Sequence, residues 1–146
     1  MLLTRTVCPN FSEYLLCLTL KSHADIIVPA VRGTTSVLHS ALKYGSSVKR
    51  VVLTSSFVAV FEWVPEPRVY TEENWNNAAI EAVKTKGSAA DSFTVYSASK
   101  ALAEKAAWEF VETNKSKILF DLVALNPPWI FGASVPFFAN FSLTAN

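Results

Sequence analysis

Glycine is scarce: the 146 residues include four, Gly33, Gly45, Gly87 and Gly132, and no two are closer than twelve positions. That spacing excludes a glycine-rich turn, in which closely spaced backbone amides wrap a phosphate at a helix N-terminus. Cysteine is scarce too. Cys8 and Cys17 stand in no C-x-x-C spacing and have no histidine pair beside them. Neither a disulfide framework nor a zinc site is expected, and both thiols read as free in a reducing compartment. No excess of one charge exists either: thirteen basic residues face twelve acidic ones, for a formal charge of +1. Without a basic cluster to follow a phosphate backbone, nucleic acid is not expected as a partner. Long apolar runs are also missing. The best candidate for a targeting segment is Arg5 followed by "YLLCLTL" at 14–20. It is at the lower limit for a signal peptide and far short of the roughly 20 residues that span a bilayer. A cytoplasmic protein with no membrane partner is expected.

What is present is 51% hydrophobic content, enough for one core and little more. From residue 26 the pattern alternates helix and strand. Val31, Thr34, Val37, Leu38, Ala41 and Leu42 fall at amphipathic spacing, with Pro29 near the first turn and Gly45 as a stop. That predicts a helix of about four turns. "VKRVVLTSS" then carries the run Val51, Val52, Leu53, the pattern of a short strand buried on both faces. Residues 62–92 hold Pro65, Pro67, Gly87 and "ENWNN", and read as a long surface excursion with one short helix near 78–86. A helix over 94–113 follows, facing a core with Leu102, Ala103, Ala106, Ala107 and Phe110. Residues 118–125 read as a second buried strand, ended by Asn126, Pro127 and Pro128. The order helix, strand, helix, strand implies an α/β fold with a parallel sheet and helical crossovers. Residues 1–23 and 133–146 show no clear period, and no internal repeat is present.

Three features lie where strands end or helices begin, the places where open α/β sheets bind ligands. They are "TSS" at 54–56, "YSASK" at 96–100 and "NPPWIFG" at 126–132. Tyr96 and Lys100 are one helical turn, or roughly 6 Å, apart on one face. A phenol titrates near pH 10, and a neighbouring ammonium favours the phenolate, so the pair makes a tunable acid. A hydroxyl such as Ser56 can hold a carbonyl oxygen while Tyr96 protonates it; the hydride must then come from a nicotinamide cofactor. Each feature also has a purely structural explanation. Tyr and Lys four apart are common on helices, Thr-Ser-Ser serves turns and caps, and Asn-Pro-Pro ends strands.

In this order and spacing, "IIVPAVRGTTSVL", "VKRVVLTSS", "VYTEENWNN", "YSASKALAEKAAWEF" and "FDLVALNPPWIFG" closely resemble the extended short-chain dehydrogenase/reductase family. This is also called the NAD-dependent epimerase/dehydratase family. The likeness is nearest to the branch of dihydroflavonol reductases, cinnamoyl-CoA reductases and fungal carbonyl reductases, and covers roughly 24–132. The resemblance implies Tyr96 as general acid, with Lys100 lowering its pKa and binding the nicotinamide ribose. Ser56 would orient the carbonyl, with Ser55 as the fallback. Thr54 would line the cofactor channel, and Asn126, Pro127 and Pro128 would face the nicotinamide end. The implied reaction is reversible hydride transfer from NAD(P)H, with NADP favoured by the branch, to a small aldehyde or ketone. No metal is implied.

The family opens with a strand, a G-x-x-G-x-x-G turn and a helix, which this sequence lacks. The expected fold is therefore a partial Rossmann-like sheet over 24–132, after an atypical segment at 1–23. Residues 133–146 would begin a substrate-binding region. So truncated, the chain is expected to be a poor enzyme with an exposed sheet edge open to association; residues 11–20 are a candidate cover for part of it, with no sequence pattern behind that role. The alternatives are a non-catalytic Rossmann-like fragment acting by interaction, and an epimerase or dehydratase using the same Tyr96 and Lys100 on a sugar nucleotide.

Overall fold

The computed structural model describes residues 24–132. The readings made above for 1–23 and 133–146, with Cys8, Cys17 and the segments 11–20 and 14–20, lie outside the described residues. Helix α1 (Ala24–Tyr44) leads to strand β1 (Arg50–Thr54) and a single 3-10 turn (Phe57–Ala59). Helix α2 (Asn77–Lys86), a second 3-10 turn (Gly87–Ala89), helix α3 (Ser92–Thr113) and strand β2 (Asp121–Leu125) complete the order.

α1 is longer than its sequence suggests, 21 residues against about four turns, with Pro29 inside it. Proline there removes the N–H that would bond the Asp25 carbonyl. Tertiary packing keeps the extra turns helical, because Ile26 and Ile27 lie against the cluster formed by Val95, Ala98 and their neighbours. At the other end Gly45 stops the helix as expected. Its N–H bonds the Ala41 carbonyl at 2.8 Å, and a Cβ there would sit 2.6 Å from that same oxygen. Gly87 closes α2 with φ of 52°, a left-handed conformation that side chains disfavour.

β1 and β2 pair in parallel, from Arg50 opposite Asp121 to Thr54 opposite Leu125. This is the parallel pair with a helical crossover that the pattern predicted. The expectation that these strands are buried on both faces is not met. Val51, Leu53 and Leu122 pack under Leu38 of α1 and Ala107 and Phe110 of α3. The alternate residues look away, and Val52 and Leu125 are 54% and 51% exposed. The reason is that α1 and α3 share one face of the sheet. A continuous apolar run cannot reveal which face the helices choose.

A second cluster joins the 3-10 turn, α2 and α3 through Ala59, Ala79, Ile80, Val83, Val95, Ala98 and Ala101. Its small side chains bring the backbones close. The excursion after Ala59 is pinned at its return. Asn76 caps α2 by accepting from the Ala79 N–H at 2.9 Å, and its Nδ2 donates to the Val58 carbonyl at 3.0 Å. Among the described residues no helix is long and apolar enough to cross a membrane.

Candidate active site

The carboxyl ends of the two strands are stitched residue by residue. The Ser55 N–H donates to the Leu125 carbonyl at 2.8 Å, and the Phe57 N–H to the Pro127 carbonyl at 3.2 Å. Between them the Asn126 Nδ2 donates to the Ser56 carbonyl at 3.0 Å. The "TSS" and "NPP" segments, 70 residues apart, thus form one ledge beyond the sheet, where open α/β sheets bind ligands.

Within that ledge the predicted residues differ in setting. Ser56 is buried and caps the 3-10 turn, its Oγ accepting from the Val58 N–H at 3.4 Å. That bond uses the oxygen as acceptor, so the hydroxyl proton remains available for donation. Ser55 is also buried, and among the described residues its Oγ has no hydrogen-bond partner. A buried hydroxyl in that state costs roughly 1–3 kcal/mol, which makes it a group waiting for a partner. Thr54 shares the open face of the sheet with Val52 and Leu125. Pro127 contributes its carbonyl, and Pro128 is exposed.

Tyr96 and Lys100 are set by the start of α3. Asp91 caps the helix, one carboxylate oxygen accepting from the Thr94 N–H at 3.0 Å and the other from the Thr94 hydroxyl at 2.6 Å. These bonds hold the Asp91 carboxyl below the usual aspartate range. Tyr96 and Lys100 are both half-buried, and the Lys100 Nζ lies 6.0 Å from the centre of the Tyr96 ring. Val95 and Ala98, flanking Tyr96 in sequence, pack in the same cluster as Ala59 of the turn that begins after Ser56. The helix of Tyr96 and Lys100 therefore lies against the Ser56 turn. An acid and a cation on one helical face beside a hydroxyl-bearing ledge can hold and protonate a carbonyl oxygen.

Sequence reasoning passed over Glu104. It is 5% exposed, and its Oε2 accepts from the Asn126 Nδ2 at 2.8 Å. Its other oxygen accepts from the Trp108 Nε1 at 3.5 Å. The available signal was the spacing, since Tyr96, Lys100 and Glu104 repeat every four residues on one helical face. A cavity of about 270 Å³ opens beside this carboxyl, lined by Val60, Glu72, Trp75, Glu104, Trp108, Ala124 and Asn126. Neither Ser56 nor Tyr96 lines it.

Residues 16–145 match the 3-beta hydroxysteroid dehydrogenase/isomerase family. The chain belongs to that family. It falls within the extended short-chain dehydrogenase/reductase group, as the sequence resemblance implied. It is 44% identical over 115 residues to the NADPH-dependent methylglyoxal reductase of Saccharomyces cerevisiae, covering 76% of this chain and 32% of the relative. It is 40% identical over 111 residues to a cinnamoyl-CoA reductase of Medicago truncatula, covering 75% of this chain and 30% of that protein. Among solved structures, the yeast methylglyoxal/isovaleraldehyde reductase complexed with NADPH superposes with a TM-score of 0.68 at 41% identity. That match covers 78% of this chain and 33% of the reductase. The described residues thus form part of the Rossmann-like fold of these reductases. The chain spans about a third of the length of the relatives it matches.

Proposed function

We propose that the protein works as an NADPH-dependent reductase of small aldehydes or ketones, with Ser56, Tyr96 and Lys100 at its chemical centre. The observation that carries this reading is the placement of Lys100 one turn beyond Tyr96 on the helix packed against the Ser56 turn. The likeness to reductases whose names specify NADPH supports the cofactor and the substrate class. The same names favour carbonyl reduction over a sugar-nucleotide epimerase or a non-catalytic role.

The residues fit one end of a dinucleotide. Ser55 presents a buried hydroxyl that lacks a partner among the described residues, and Lys100 presents an ammonium suited to ribose hydroxyls. For the pyrophosphate, the sequence offers no glycine-rich turn, so the fit concerns the nicotinamide end. NADPH, when bound, supplies the hydride that adds to the carbonyl carbon. Ser56 donates its hydroxyl proton in a hydrogen bond to the carbonyl oxygen. Tyr96 transfers its phenolic proton to that oxygen as charge develops there, giving the alcohol. Lys100 stabilises the phenolate left on Tyr96. The open ledge also gives the alternative of association a physical basis, since Val52, Leu125 and Trp129 are exposed beside it.

The test is to incubate the full chain with NADPH deuterated at the transferable position and an aldehyde such as methylglyoxal. The expected result is an alcohol carrying one deuterium on its new C–H carbon, in proportion to NADPH consumed. No deuterated alcohol at any enzyme concentration would contradict the reading.

A further inference from the structure

The serine ledge and the tyrosine helix are tied by a partly buried side-chain relay. The Asn126 Nδ2 carries two hydrogens, one donated to the Ser56 carbonyl at 3.0 Å and the other to Glu104 at 2.8 Å. Glu104 stands on α3 two helical turns from Tyr96 and one from Lys100. We infer that Glu104 is a positioning residue, which through Asn126 fixes the Ser56 backbone relative to Tyr96 and Lys100.

Glutamate is almost never fully buried without partners, yet Glu104 is 5% exposed on a helix otherwise lined there with alanine and serine. An apolar residue would serve packing equally well at that place. What it could not do is accept the second Asn126 hydrogen, and an amide with one hydrogen unbonded is free to rotate away from Ser56. The Ser56 carbonyl would then lose the side-chain bond between the two main-chain stitches at Ser55 and Phe57. A shift of about 1 Å between reacting groups can cost a hundredfold in rate, so a relay that sets this spacing acts on turnover while touching no substrate.

The inference rests on the reductase reading for its kinetic half only. The experiment compares wild-type full chain with Glu104→Leu, Glu104→Gln and Glu104→Asp in two readouts. These are NADPH-dependent aldehyde turnover and amide hydrogen exchange followed by NMR. Leucine fits the volume and removes the acceptor; glutamine keeps an acceptor; aspartate withdraws it by about one carbon–carbon bond, ~1.5 Å.

Glu104→Leu is expected to lower kcat about tenfold or more with KM within about twofold. It should also accelerate exchange at Ser55 and Phe57 about tenfold without changing exchange at Val83 in α2. Glu104→Gln should stay near wild type in both readouts, and Glu104→Asp should fall between. If leucine prevents folding, the aspartate and glutamine pair decides by the same criteria. Unchanged kcat and local exchange in Glu104→Leu would overturn the inference. So would acceleration at every amide together, which marks plain destabilisation, or a glutamine variant as impaired as leucine. Should wild type reduce no aldehyde, the reductase reading fails. Exchange then decides alone: acceleration confined to Ser55 and Phe57 supports the relay, and its absence overturns it.

Discussion

Helix α3 passes through two cores built from different side chains. Around its first half, Ala59, Ala79, Ala98 and Ala101 alternate with Ile80, Val83 and Val95. Around its second half lie Leu38, Phe110, Phe120 and Leu122, with Ala107 as the one small member. The first arrangement buries less area per residue and allows close backbone approach; the second buries more and holds the helix on the sheet. The difference separates two tasks along one helix. Large side chains far from Tyr96 hold the helix on the sheet, and small ones beside it let Tyr96 come close to the Ser56 ledge.

The largest effect is expected where the bulky core is emptied. Phe110→Ala removes a 7%-exposed ring packed edge-on against His39 at 4.7 Å, and should cost about 3–5 kcal/mol. Denaturant unfolding checks this value; a loss under 1 kcal/mol would break the division of labour. Ala98→Leu adds volume to a fully buried position of the small-residue core. The expected cost is smaller, about 1–3 kcal/mol, but turnover should fall further than the folded fraction does, because α3 is forced from the Ser56 turn. Kinetics and unfolding measured on the same sample separate the two effects.

The start of α3 gives smaller effects. Asp91→Ala removes an N-cap that accepts from the Thr94 N–H and hydroxyl and should cost about 1 kcal/mol. It should also flatten the acid limb of the stability profile. The Thr94 bonds depress the folded-state pKa of Asp91. Their contribution is therefore complete above the ordinary aspartate range and lost as pH falls through it to the lower folded value. Unfolding midpoints of wild type and Asp91→Ala between neutral and strongly acid pH should converge toward the acid end. The smallest effect belongs to Arg50 and Asp121, paired at 2.6 Å on the open face of the sheet with both side chains more than half exposed. Asp121→Asn should leave the midpoint nearly unchanged, and added salt should erase what difference exists.

Much of this was legible in the sequence because local chemistry and tertiary structure agree. Gly45 ends α1 where a Cβ would collide with Ala41, and Asn126, Pro127 and Pro128 end β2. Lys100 lies beside Tyr96 because a helix requires it of positions four apart. Less legible was whatever depends on partners remote in the chain. Nothing near Pro29 announces that Ile26 and Ile27 pack against α3 and keep the first turns of α1 helical. Val52 reads as a core residue until the helices are seen to share the opposite face. Glu104 looks like one more charge on a helix until Asn126, 22 positions on, supplies the hydrogen that it accepts.

The central claim is that Tyr96 gives a proton to a carbonyl oxygen held at the Ser56 ledge. Its most direct test is Tyr96→Phe in the full chain, comparing kcat for aldehyde reduction with NADPH affinity by fluorescence titration. The account predicts a kcat loss of about a hundredfold or more with NADPH affinity within about threefold of wild type, since phenylalanine keeps the ring and deletes only the hydroxyl. A Tyr96→Phe protein that reduces the aldehyde at the wild-type rate would contradict it.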